Sequence, residues 1–417
     1  MTMYFVIFFL LLCAVVAGFR AKASTINPSL YLLAAVAMIG CAGLRAESVG
    51  RDYGTYRIYF DGSPDQVGPG FFGQWSSTMP FVDIAYVYLN SLVKKVGLPF
   101  EALIFIVALV VVGLYAVFFW KHSRFSAIAL MIYFSHAFLN TEMIQIRAGL
   151  ASVISLWAFH FWASDRKRRG SALMLLAVMT HLAVIVAVIP LLIFHFQLIP
   201  KPKYVVLTML LALLIGYNLS SSFALFSLAE RLASFQDTEY STSLGIFSNT
   251  VTLKQLVILG LLCWLMNSRH EKLLSPIFRL SMISYWTATL WIIAFSQFQI
   301  LGARGASFLS FVEPFLVAEI VAVVCHDPFL RRYRRITAFT VVCFALSMLV
   351  LDLEVKEVVD NYQTVFQQSM VLPHREPGES MLAQTAYLTN STNNGQETEQ
   401  LTASLLRSRR PAHLIFS

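Results

Sequence analysis

Charge is what this sequence has least of. Only 13% of its 417 residues are Asp, Glu, Lys or Arg, against 57% apolar, where a soluble domain carries about 25% charged residues. With a mean hydropathy of +0.67, that deficit excludes an ordinary soluble enzyme and leaves a polytopic membrane protein. Cysteine is scarce too. The five present, Cys13, Cys41, Cys263, Cys325 and Cys343, lie inside apolar runs without Cys-x-x-Cys or Cys/His spacing, so neither a disulfide framework nor a zinc site is indicated. The sequence has no Walker A loop, no Gly-x-Gly-x-x-Gly after a strand, no Gly-x-Ser-x-Gly and no His-Glu-x-x-His, which counts against nucleotide hydrolysis, esterase and metalloprotease chemistry. It also lacks an Asp-x-Asp pair in an outward loop that could hold a metal-bound nucleotide sugar, and it shows no internal repeat.

What is present is a series of apolar runs of roughly 17 to 25 residues, the length that crosses a bilayer. The first, MTMYFVIFFLLLCAVVAGF, lacks a basic n-region, and Arg20 and Lys22 follow it. It reads as a retained span with its N-terminus outside the cytoplasm. The net charge of +8 gathers in short loops, Arg20/Lys22, Lys121/Arg124, Arg166 to Arg169, Lys201/Lys203, Arg269/Lys272/Arg279 and Arg331 to Arg335. Such clusters mark the cytoplasmic side rather than a nucleic-acid surface. The expected fold is all-α, with about 12 transmembrane or half-spanning helices over 1–351 and an outward tail over 352–417, disordered from about 377.

Residues 171–199 break simple alternation, because both flanking basic loops belong inside and 29 residues cannot make two full spans of about 20. Two short or tilted helices, or a re-entrant hairpin turning near Thr180 and His181, satisfy the charges. Broken backbone at membrane depth survives only against protein or a wet cavity, so His181 is expected to face a cavity on the outer side. The main outward loop is then 45–100, where ESVGRDYGTYRIYFDG reads as a short interfacial helix carrying Asp52, Tyr53, Tyr56, Arg57 and Phe60. A second outward loop is 223–252, with another amphipathic stretch, FALFSLAERLASF, over 223–235.

Two arginines need anions. Arg147, in NTEMIQIRAGLAS at the start of a span, costs roughly 2.5 to 3.5 kcal/mol if held deep in a bilayer without a partner. Glu142 sits five residues away, about 140° around a helix, outside the i+3/i+4 pairing geometry, while Ala148, Ser152 and Ser155 form a small-residue stripe for close helix approach. Arg304, in LGARGASFLSF, precedes a span in glycine-rich backbone, an arrangement that suits anions at a helix N-terminus. His181 has the ordinary pKa of a general base or an orienting donor. The competing readings are a snorkelling Arg147, an exposed-turn Arg304, a hydrogen-bonded core His181, and Asp52 and Arg57 as loop-solvating charges. Glu313 has no evident partner, and Glu319 is expected to pair with Arg279. Arginines without a metal-binding acid cluster suit a multiply charged anionic substrate, because a guanidinium holds phosphate bidentately without Mg²⁺.

In order along the chain, RDYGTYRIYF, IQIRAGLASVISLWAFHFW, VMTHLAVIVAVIPLLIF, GARGASFLSFVEPFLV and the tail element NYQTVF resemble EpsG-type proteins, which are similar to Wzy-type bacterial polysaccharide polymerases. The resemblance covers most of residues 1–366. It implies a metal-independent, cofactor-free glycosyltransferase of the membrane-embedded GT-C kind in the bacterial inner membrane, with its active site facing the periplasm. Such an enzyme moves a growing glycan from undecaprenyl diphosphate onto the next lipid-linked repeat unit, alongside a chain-length regulator and a flippase of the same pathway. Arg147 and Arg304 would hold the donor diphosphate, and His181 would take or orient the acceptor proton. Arg51, Asp52, Tyr53, Tyr56, Arg57, Glu142 and Arg231 would complete the substrate-binding set, with Tyr53 and Tyr56 stacking on sugar. A lipid-linked oligosaccharide flippase and an O-antigen ligase are the alternative readings.

Overall fold

A computed structural model describes residues 2–20, 27–198, 201–223, 250–266, 275–296, 299–327, 329–355 and 362–367. It divides into two units, Met1–Gln363 and Thr364–Ser417. In the second, the Gln367 side-chain oxygen accepts from the Thr364 backbone N–H at 2.9 Å. The first is helical throughout, with no strand among the described residues.

The chain begins with α1 (Thr2–Arg20) and α2 (Pro28–Gly43). The start of α2 is fixed by Asn27, whose side chain accepts from Ser29 and Leu30 N–H, and by Pro28 in the first turn, where its missing N–H costs nothing. The long segment that follows holds α3 (Tyr53–Asp61), α4 (Phe71–Thr78) and α5 (Ile84–Lys95). In α3 the apolar spacing puts Tyr53, Tyr56 and Phe60 in the interior, so the helix expected from the sequence is present, and α4 and α5 are additions to it. Helix α6 (Phe100–His122) follows; its 23 residues at about 1.5 Å each cross the roughly 30 Å hydrocarbon layer. Next comes α7 (Ser126–Ile132), which passes into a π-helical turn, Tyr133–Phe138, and then α8 (Leu139–Thr141). The remaining helices are α9 (Ile146–Ala163), α10 (Lys167–Thr180), α11 (Val188–His195), α12 (Pro202–Phe223), α13 (Thr250–Met266), α14 (Pro276–Ala294), α15 (Gln299–Ser310), α16 (Glu313–His326) and α17 (Arg334–Val355).

By length and composition, five described helices can cross a membrane, or six if the bent pair of α15 and α16 counts as one span. The expected count of about 12 transmembrane or half-spanning helices is not confirmed on this measure, because several apolar helices, such as 28–43 and 182–195, are shorter than a full span. The bend between α15 and α16 is 49° and falls at the buried residues Phe311 and Val312, so the irregular backbone is enclosed by protein. The 171–199 stretch is interrupted as expected. After Thr180 the backbone at His181 is extended, and a 3₁₀ segment, Leu182–Ala187, leads to α11. The amphipathic stretch at 223–235 and the tail beyond 367 lie outside the described residues.

Candidate functional site

Three distant segments meet because α9 and α10 form an antiparallel pair. Helix α9 runs 18 residues, about 27 Å, from Arg147 to a turn in which Asp165 takes the left-handed φ of 58°, a conformation Asp tolerates. Helix α10 returns along α9 and ends at Thr180, which puts His181 at the same end of the bundle as Arg147. Helix α5 packs against α10, and Asp83 stands at its N-cap. That position normally favours a side-chain bond to the helix's own N–H groups, yet Asp83 makes none.

Its carboxylate is engaged across the bundle instead. Arg147 donates to Asp83 Oδ2 at 2.8 Å, His181 Nδ1 lies 3.3 Å from the same oxygen, and the Leu182 N–H donates to Oδ1 at 3.0 Å. Burial alone would push the Asp83 carboxyl upward, but the hydrogen bonds from His181 and Leu182 and the charges of His181 and Arg147 outweigh it and hold the group below its ordinary 3.8. The Arg147 guanidinium also lies over the rings of Tyr59, Tyr86 and Tyr56, at 5.1, 5.8 and 5.9 Å from their centroids. Its Nε is buried without a hydrogen-bond partner. The guanidinium is therefore held in place by Asp83 and the three rings and keeps one buried, unsatisfied donor.

Because the native pKa of Asp83 is depressed, its contribution to stability is present above its unfolded-state value and is lost as pH falls through the folded one. Thermal unfolding in detergent should therefore be flat from pH 7 to 5 for this contribution and should fall below about pH 4, near the ordinary carboxylate value. In Asp83→Asn that acid-limb decrement should shrink. An unchanged acid limb in the variant would show that Asp83 is not the group responsible.

The other residues singled out from the sequence fall in different places. Arg304 is exposed, but it sits inside α15 rather than at a free helix N-terminus, so the expected anion cradle of backbone N–H groups is not formed. Nearby Gly305 serves packing, since a Cβ there would lie 2.0 Å from the Trp291 indole nitrogen. Arg304 lies one turn, about 5.4 Å, from Phe308, whose ring contacts His181 at 5.1 Å, and α15 packs on the 182–187 turn. Glu142 is sealed in the interior, with Oε1 accepting from Tyr133 and Thr141. A Cβ at Gly149 would come within 2.6 Å of that Oε1, so the absent side chain is what lets α9 accept Glu142.

Tyr53 and Tyr56 are buried, 2% and 4% exposed, and offer packing and cation–π surfaces rather than an open face for a sugar. Burial, against the charge of Arg147, pushes the Tyr56 hydroxyl up to about 12. Arg57 pairs with Glu101 at 2.5 Å, Asp52 sits at the N-cap of α3 without a capping bond, Arg51 is exposed, and Arg231 lies outside the described residues. Two acidic residues correct the sequence reading. Glu313, left without a partner there, pairs with Lys254 at 2.9 Å and accepts from Tyr285. Glu319 takes the Arg124 N–H and side chain rather than Arg279.

Sequence reasoning missed Asp83, the residue on which Arg147 and His181 converge. The only local signal was an acid at a helix start. It also missed the His136–Asp352 pair at 2.9 Å. Among the described residues no group of three or more His, Cys, Asp or Glu is placed to hold a metal ion.

No curated protein and no solved structure matches the chain. Residues 28–367, which contain every residue of this site, match the model of the EpsG family, and the chain therefore belongs to that Wzy-like family of polysaccharide polymerases.

Proposed function

We propose that this protein is the polymerase of a bacterial exopolysaccharide or O-antigen. It transfers a growing glycan from undecaprenyl diphosphate onto a new lipid-linked repeat unit at the periplasmic face of the inner membrane. The observation that carries the reading is the convergence of Arg147 and His181 on Asp83, with Arg147 fixed over three tyrosine rings and its Nε unsatisfied. A guanidinium held this way is pre-positioned for charge that develops elsewhere, and such groups usually contribute the largest electrostatic share of catalysis.

In this reading Arg147 takes the donor diphosphate together with Arg304, which is exposed one helical turn from the residue that touches His181. Arginine supplies the neutralising charge, so the transfer is metal-independent. His181, oriented through Nδ1 by Asp83, presents its other nitrogen to the attacking sugar hydroxyl. Polyprenyl chains occupy apolar grooves between helices of a GT-C-like bundle, and a flippase and a chain-length regulator of the same pathway act beside it.

A deletion strain tests this reading. Loss of a polymerase should leave glycan capped at a single repeat unit. Accumulation of lipid-linked units facing the cytoplasm would indicate translocation instead, and full-length polymer that fails to join the lipid A core would indicate a ligase.

A further inference from the structure

A separate cavity is lined in part by Phe308, whose ring also contacts His181. It encloses about 60 Å³, above the roughly 10–15 Å³ that a single water needs. Its walls come from the π-helical turn at 133–138, the start of α9 and the bend between α15 and α16, and it is lined by Asn140, Gln145, Ser152, Ser310, His136 and Glu313, among others. Tyr115, Phe308 and Phe311 supply its aromatic surface. No arginine or lysine lines it, so its chemistry differs from that of the Arg147 site: neutral amides and hydroxyls beside aromatic rings suit a polyhydroxylated, uncharged ligand.

The ionisable groups around it are arranged for a task. His136 gives Nδ1 to Asp352 at 2.9 Å, which leaves Nε2 as the nitrogen for the cavity that His136 lines. A carboxylate on one imidazole nitrogen fixes the tautomer and stabilises the imidazolium that forms when the other accepts a proton. Glu313, also in the lining, is held by Lys254 and accepts from Tyr285. Ionisable groups inside a membrane bundle are costly and are generally retained for function. His136 and Glu313 line the cavity, and their partners Asp352, Lys254 and Tyr285 come from α17, α13 and α14.

We propose that this cavity receives the hydroxyl-bearing edge of the acceptor sugar and that His136, positioned by Asp352, is the general base of the transfer. The inference rests on the polymerase reading and assigns His181 the orienting role. The acceptor O–H bond breaks and its proton passes to His136 Nε2. The oxygen forms the bond to the donor's anomeric carbon. The bond from that carbon to the diphosphate oxygen breaks, and its electron pair stays on the diphosphate at Arg147.

The test uses the full chain in nanodiscs, a lipid-linked repeat unit as donor, and the free repeat-unit oligosaccharide, which lacks diphosphate and can only accept. His136→Gln should lower kcat about a hundredfold, within the range for a general base. Asp352→Asn should lower kcat with little change in acceptor KM, a split that a merely structural role would not give. Asn140→Ala and Gln145→Ala, milder changes at the wall, should raise acceptor KM and weaken oligosaccharide binding about tenfold while leaving donor binding unchanged. Wild-type acceptor KM and kcat in all four variants would overturn the cavity's role and leave the polymerase reading standing. Equal loss of donor and acceptor binding would overturn it as well. A wild-type protein that binds the oligosaccharide through Asn140 and Gln145 but transfers nothing would instead support the sugar pocket and sink the polymerase reading.

Discussion

Arg147→Ala should reduce glycan transfer per folded molecule by about 10²- to 10³-fold, the usual cost of removing one pre-positioned electrostatic donor, or about 2.7–4 kcal/mol. The size of that loss separates a catalytic role from packing. The cation–π contacts to Tyr59, Tyr86 and Tyr56 are worth about 0.5–2 kcal/mol and act on stability rather than on turnover. The Arg147 and Asp83 side chains remain 18% and 16% exposed, and Asp83 keeps His181 and the Leu182 N–H, so the variant should still fold. Arg147→Lys preserves the attraction to Asp83 but loses the planar fork and should recover only part of the activity. If Arg304 serves the same diphosphate, the Arg147→Ala/Arg304→Ala double variant should be little worse than the poorer single one. Normal membrane levels with near-normal transfer in both singles would reduce the two arginines to interface and topology residues.

The second large effect concerns stability. Lys254 and Glu313 form an ion pair whose side chains are 5% and 6% exposed, at the point where the span bends. Removing one partner strands a charge in the interior, so Lys254→Ala or Glu313→Ala should each cost about 3–5 kcal/mol. The double variant Lys254→Met/Glu313→Gln removes both charges while keeping an acceptor for Tyr285. Because desolvating two charges offsets much of their attraction, it should lie close to wild type. Thermal unfolding in detergent checks this directly. Single variants within about 1 kcal/mol of wild type, the usual range of an exposed pair, would show that the pair is solvated.

How much of this was legible in the sequence depends on how locally each feature is encoded. The break at His181 was expected from two basic clusters read as lying on one side, and the α3 helix from the spacing of Tyr53, Tyr56 and Phe60; both are short-range signals. The partner of Arg147 was not legible, because Asp83 lies 64 residues from it and 98 from His181, and the convergence depends on α10 folding back on α9. Arg304 misled for a different reason. Glycines flanking an arginine read as open backbone, whereas Gly305 is there to admit Trp291 into the α14–α15 contact. Glu313 seemed unpaired because its partner comes from another helix and its position at the bend depends on tertiary packing. Partners of ionisable groups at membrane depth are set by which helices pack together, and hydropathy does not record that choice.

The proposed polymerase activity, with arginine in place of a metal, is tested by reconstitution. Purified protein in nanodiscs, given lipid-linked repeat units and excess chelator, should produce a ladder of longer glycans and release undecaprenyl diphosphate with each step. The same preparation of Arg147→Ala should give almost none at equal protein. No ladder from wild type, or a ladder that chelator abolishes and Arg147→Ala leaves intact, would contradict the account.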